Sequence, residues 1–260
     1  MDSRRLAYLR ALDIDVWERR ALEPVPSLDG RDAIAPVVPH NVPHSEPHIV
    51  SAAPLARAVE PQREAPRSDV AELGWDALEQ AVRGCQRCSL QQSRTQAVFG
   101  VGNRTAQWFV IGEAPGADED RQGEPFVGRA GQLLNSMLRS MGLPREQVFI
   151  ANILKSRPPN NRDPRPEEVR ACIPYLYRQI ELVNPRLILC VGRIAAQTLL
   201  DTDTPIGKLR GKLHHLASGR PMIVTYHPAY LLRSPAEKRK AWGDLVLAMQ
   251  TFDRLGGAAS

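Results

Sequence analysis

Cysteine is scarce in this sequence: four in 260 residues, at positions 85, 88, 172 and 190. Only Cys85 and Cys88 form a CxxC, and without a second CxxC there is no zinc ribbon. Long apolar runs are missing too. No stretch reaches the roughly 18 residues a membrane-spanning helix needs. The segment MDSRRLAYLRALDIDVW carries charges throughout, where a secretory signal would carry an apolar core. The expectation is a cytoplasmic chain, with no membrane contact, whose thiols stay reduced. Nucleotide fingerprints are absent as well: the glycine-rich segment GEAPG is neither a P-loop nor a GxGxxG. Acidic excess is also lacking. The net charge is +5 and the pI about 9.2, which permits a polyanionic partner without proving one.

Composition divides what is there into three stretches. Residues 1–22 read as a short amphipathic peptide, with Leu6, Leu9, Leu12, Ile14 and Trp17 along one stripe. Residues 23–68 hold nine prolines and no aromatic residue, so they are read as a disordered linker that cannot bury enough apolar surface to offset its ordering entropy. Residues 69–260 read as the globular domain. Within it, Gln107–Ile111, Val148–Ile153, Leu187–Val191 and Met222–Thr225 are apolar throughout, as strands buried on both faces should be. Helical stretches near Gly131–Met141, Arg165–Leu182, Arg193–Leu200 and Pro235–Leu255 alternate with them. This alternation predicts an α/β fold, a three-layer α/β/α sandwich around a four-stranded parallel sheet. A monomer is the default expectation.

In such a sheet the site lies at the carboxyl ends of the strands. That rule selects GEAPG, NILKSRPPNNR, VGR and YHPAYLLR. Glu113 puts a carboxylate at the end of the first strand, beside Gly112 and Gly116, which allow close backbone approach. Asp118, Glu119 and Asp120 form an acidic run that reads as a solvated loop. Phe126, in a glycine-bounded loop, suits a stacking platform or the core. Asn152 ends an apolar strand, and a buried amide there must hydrogen-bond protein or ligand. His227 can donate to a developing anion. Leu231 and Leu232 beside Arg233 suit a wedge that props open a base stack, or a helix start packed inward. Lys208, Arg210 and Lys212 suit phosphate contacts. For Cys85, Cys88, Cys172, which opens a helix, and Cys190, which ends the third strand, three readings stand open: zinc, an iron–sulfur cluster, or simple burial of the last two.

The segments GEAPGADEDRQGEPFVGRAGQLL, NILKSRPPNNRDP and YHPAYLLRSP, with the CxxC…C…C pattern, resemble the motifs of family 4 uracil-DNA glycosylases over about residues 75–255. The resemblance implies excision of uracil from DNA and a structural [4Fe–4S] cluster on all four cysteines. It implies that Glu113 lies beside the reacting sugar and positions or activates water, and that Phe126 stacks on the extruded uracil. Asn152 would read N3 and O4, His227 would face O2, and the backbone around Ala114 and Gly116 would line the pocket. One relative captures uracil covalently through a histidine in a KRRIH motif. PIGKLRGKLHHL lacks that motif although His214 and His215 lie in it, so a turning-over hydrolase is expected. SRRLAYLRALDIDVW resembles the start of the psi subunit of bacterial polymerase III holoenzyme, which implies a tether to the clamp loader. Two other readings compete: a non-catalytic DNA-binding or replisome adaptor, and a cluster-based redox protein, the latter disfavoured by the missing flavin and nicotinamide fingerprints.

Overall fold

The computed structural model describes residues 69–256. The amphipathic peptide and linker read in residues 1–68 lie outside the described residues. The described chain runs α1 (Trp75–Arg83), β1 (Val101–Gly102), β2 (Trp108–Gly112), α2 (Ala117–Gln122), α3 (Arg129–Ser140), β3 (Phe149–Asn152), α4 (Pro166–Val183), β4 (Leu187–Val191), α5 (Arg193–Leu200), α6 (Ile206–Leu209), β5 (Leu213–His215), β6 (Pro221–Thr225), α7 (Pro228–Arg233) and α8 (Lys238–Arg254), with short 3-10 turns between. No helix among the described residues is long and apolar enough to cross a membrane.

The strands join one sheet in the order β1-β3-β2-β4-β6-β5. Its centre is the expected parallel set, β3-β2-β4-β6. Two short antiparallel strands, β1 and β5, are added at its edges. The central strands are apolar on both faces because both faces are covered. Phe109, Ile111, Ile188, Met222 and Val224 pack with α1, α4 and α5. Trp108, Val110, Leu187, Leu189 and Ile223 pack with α3, α7 and α8.

Local chemistry fixes the helix ends. Pro166 occupies the first turn of α4, where its missing N–H costs nothing. The Glu168 carboxylate accepts from the Arg165 backbone N–H at 2.8 Å, closing a capping box. Asn184 then ends the helix in the left-handed conformation, φ 52°. On α8, Ala241, Trp242, Leu245, Ala248 and Phe252 recur at helical spacing and are all buried.

Chain order reverses about β2. From it the chain passes to β3 on one side, then back across to β4 on the other. A crevice opens at such a switch point, at the carboxyl ends of the strands.

Candidate active site

A cleft of about 700 Å3 fills that crevice, and Glu113, Ala114, Gly116, Phe126, Asn152 and His227 all line it. Sheet register brings them together. Gly112 pairs with Asn152, and Ile111 with Cys190, so Glu113 and Gly192 leave neighbouring strands side by side.

Asn152 is 3 % exposed, and its Oδ1 is buried without a hydrogen-bond partner. A buried unpaired acceptor costs roughly 1–3 kcal/mol, so the amide is poised for a donor from outside the protein. Its backbone carbonyl is held from behind: the Lys155 Nζ donates to it at 2.9 Å and to Gln179 Oε1 at 2.6 Å. A side chain on Gly112 would press within 2.5 Å of both Asn152 Oδ1 and the Phe126 ring, so only glycine lets amide and ring meet.

Phe126 is 5 % exposed, has φ 56°, and stacks on His227 with ring centroids 5.6 Å apart. A non-glycine residue in that conformation is strained by about 1 kcal/mol or more, so its surroundings must hold it. Glu119 does so. Its Oε1 accepts from the Val127 and Gly128 N–H groups at 3.0 and 3.2 Å, while Oε2 accepts from Gly116 N–H at 3.0 Å. One carboxylate thereby ties the Phe126 loop to the GEAPG loop. The acidic run is therefore no solvated loop. It forms α2, and its buried Asp120 also accepts from Thr95 N–H, at 3.0 Å on each oxygen.

His227 caps α7, its Nδ1 accepting from Ala229 N–H at 3.1 Å. Burial, helped by Arg233 and opposed by Glu119, pushes its pKa down to about 4. The ring is thus neutral at pH 7, and with Nδ1 occupied as acceptor its proton sits on Nε2 as a donor. Gly192, at φ 104°, allows this approach, since a Cβ there would stand 3.1 Å from His227 Cβ. Burial, reinforced by Asp163 and opposed by Arg193, raises Glu113 to about 7. A carboxylate with a raised pKa, a neutral imidazole donor, an unpaired amide and a ring, all in one crevice, mark a site for a flat polar ring.

Residues 99–246 match the uracil DNA glycosylase superfamily. The chain belongs to that superfamily. Within it, the chain is 48 % identical over 167 residues to a type-4 uracil-DNA glycosylase of Archaeoglobus fulgidus, covering 62 % of this chain and 84 % of the relative. It is 42 % identical over 180 residues to the type-4 uracil-DNA glycosylase of Pyrobaculum aerophilum, covering 65 % and 90 %. To that of Thermotoga maritima it is 44 % identical over 160 residues, covering 61 % and 83 %. Family 4 membership, read in the motifs, agrees with these relatives.

Other superfamily-type assignments divide at the rim of the crevice. Arg233 is exposed and lines the cleft, Leu232 is 36 % exposed on α7, and Lys208 is exposed on α6. Leu231 departs from the expected wedge: it is 1 % exposed and packs under the sheet, because α7 turns it inward. Arg210 departs from the expected phosphate contact. Its Nη2 and Nε donate to Asp244 at 2.7 and 2.9 Å, and Thr225 Oγ1 donates to the same buried carboxylate at 2.8 Å. Sequence reasoning missed Glu119, Lys155, and the Asp163–Arg193 ion pair (2.7 Å) beside Glu113. Position was a signal only for Lys155 and Arg193, which follow β3 and β4 closely; Glu119 sits within α2 and Asp163 in the loop before α4.

The cysteines also divide. Cys172 lies inside α4 rather than opening it, 4 % exposed, and its Sγ accepts from Lys155 N–H at 3.2 Å. Tyr175, one turn on, hydrogen-bonds with Cys85, and both Cys85 and Cys88 stand near enough to raise the Cys172 pKa, which burial pushes up to about 11. Cys190 is fully buried among the central strands, with Ile111 and Val224 as its register partners, and burial alone pushes its thiol up. Among the described residues, no three His, Cys, Asp or Glu side chains stand close enough to hold a metal ion. Cys172 and Cys190 belong to one buried cluster, with Cys85 and Cys88 packed against it.

Proposed function

We propose that the chain flips deoxyuridine out of DNA and hydrolyses its N-glycosidic bond, leaving an abasic site in base excision repair. The observation that carries this is the unpaired Asn152 Oδ1 at the floor of the cleft. Uracil offers N3–H to that oxygen, and O4 to the amide N–H. Cytosine presents the reverse pattern and would leave both groups unpaired, losing about 1–3 kcal/mol per group. Phe126 stacks on the base, and His227 donates from Nε2 to O2. Extrusion from the duplex costs a few kcal/mol, which these contacts offset. As the bond breaks, negative charge gathers on the base and positive charge on the sugar. His227 and ionised Glu113 meet those charges where they develop, and Glu113 also orders the attacking water.

At the rim, Lys208 and Arg233 meet phosphates and Leu232 enters the base stack. The family resemblance and the soft thiols of Cys85, Cys88, Cys172 and Cys190 support an iron–sulfur cluster, [4Fe–4S], as a structural staple. On the resemblance to the psi subunit, residues 1–22 tether the protein to the clamp loader in the cytoplasm; a chain lacking them should no longer retain clamp-loader subunits in a pull-down.

Purified protein should release free uracil from a uracil-containing oligonucleotide and none from its cytosine counterpart. Folded protein that binds the oligonucleotide yet leaves deoxyuridine in place would assign the non-catalytic adaptor instead.

A further inference from the structure

The cleft of about 700 Å3 is larger than one pyrimidine ring, and its wall carries two aromatic side chains that the uracil contacts leave unused, Tyr226 and Tyr230. From the cap of α7 onward, His227, Tyr230 and Arg233 recur at intervals of three residues, and all three line the cleft. That interval brings side chains to one side of a helix. Leu231 points the other way, into the core, at 1 % exposed. Tyr230 therefore stands one turn beyond the imidazole of the base pocket and one turn short of an exposed guanidinium. Its ring centroid lies 5.0 Å from that of Tyr226, with an angle of 46° between the planes. Both rings are half-buried and pack against the core shared by α3, α7 and α8. Packing of this kind fixes the rings beforehand, so little freedom is lost when a flat ligand stacks on them.

We propose that Tyr230, backed by Tyr226, is a second base subsite, which stacks on the base next to the uracil in the same strand; this rests on the uracil-excision reading given under Proposed function. The occupant follows from continuity. Tyr230 shares the cleft wall with His227, so the group that reaches it belongs to the nucleotide adjoining the one in the pocket. Extruding uracil takes a stacking partner from that neighbour, and the Tyr230 ring replaces it. Arg233, on the next turn, offers a cation to the strand's phosphates. Every base has a π face, so the subsite accepts any of the four bases.

The test measures uracil release by the full chain from oligonucleotides in which the residue on one side of the uracil, or on the other, carries a base or is replaced by tetrahydrofuran. The replacement keeps the phosphates and removes the base. With both neighbouring bases present, Tyr230→Ala should lower kcat/KM roughly 5- to 100-fold. With tetrahydrofuran on one particular side, the unaltered enzyme should fall by a similar factor and the variant should fall no further, so that the two become equal. Tyr230→Phe should behave as the parent, because the ring stacks and the hydroxyl does not. Tyr230→Leu keeps apolar bulk against the core, and it carries the same comparison if the alanine variant does not unfold cooperatively in urea. A leucine variant as active as the parent overturns the subsite. So does a loss of equal size whichever neighbour is missing, which would make Tyr230 a packing residue of α7. Unaltered protein that releases no uracil removes the excision reading and the subsite with it, an outcome distinct from a loss that ignores the neighbouring base.

Discussion

Two buried polar clusters sit at the carboxyl end of this sheet, and they differ in what they leave unmade. Around Asp244, Arg210 supplies two hydrogen bonds, Thr225 a third, and the carboxylate is fully covered. Around Asn152, one oxygen has no partner, and Glu113 is held where its proton is lost only near pH 7. Asp244 and the Asn152 side chain are both buried, so between those two the difference lies in completeness. A satisfied network fixes structure, while an unsatisfied one lowers stability until a ligand completes it.

The contrast is sharpest at Glu113. Glu113→Gln should lower uracil release about 100- to 1,000-fold by removing charge stabilisation at the sugar. The unaltered enzyme should lose kcat/KM about tenfold per pH unit below pH 7 as Glu113 takes up its proton, and reach a plateau above it. His227, pushed down to about 4, stays neutral across this range and contributes no limb. Stability should run the other way. The folded-state pKa lies above the ordinary carboxylate value, so the proton-linked stability is full below about pH 4.5 and is lost as pH rises through 7. At pH 8 the Gln variant should therefore be more stable than its parent by about 1–3 kcal/mol, a gain that vanishes near pH 4. Urea titrations at the two pH values measure it.

Arg210→Ala attacks the completed network. It leaves the Asp244 carboxylate buried and unpaired and should cost about 3–5 kcal/mol in the same titrations. The decline in activity should follow only the fraction unfolded. If Arg210 instead bound phosphate, the loss would appear in KM and its salt dependence, with stability intact.

Asn152→Ala should give the smallest change in free energy. About 1–3 kcal/mol of base recognition is lost, which lowers kcat/KM roughly 10- to 100-fold on uracil. Stability should hold or rise slightly, because the unpaired oxygen goes with the side chain. A large loss of stability there would mean that Asn152 belongs with the completed cluster.

The parts of the molecule legible in sequence follow the same division. The four central strands were readable because burial on both faces makes each an unbroken apolar run. The edge strands were not: β1 is two residues long, and Leu213, His214 and His215 show no pattern. Glu113, Asn152 and His227 could be singled out because each closes or follows a strand end, and Phe126 because glycines bound its loop. Glu119 and Asp120 could not be told from a solvated acidic run, since the amides they bind lie up to 25 residues away. Arg210 looked like a phosphate contact because its partner, Asp244, is 34 residues on. Leu231 and Leu232 differ only in helical phase, which a six-residue helix does not reveal in sequence.

The pairing of Gly112 with Asn152 has a consequence for how the pocket can vary. Adjacent strands stand about 4.8 Å apart, so the backbone positions that carry the Glu113 carboxylate and the Asn152 amide are spaced by the ladder between β2 and β3. Base choice and bond cleavage share one ruler. Substitutions can swap the groups mounted on it, but drift in loop length or side-chain packing elsewhere leaves its graduations where they are.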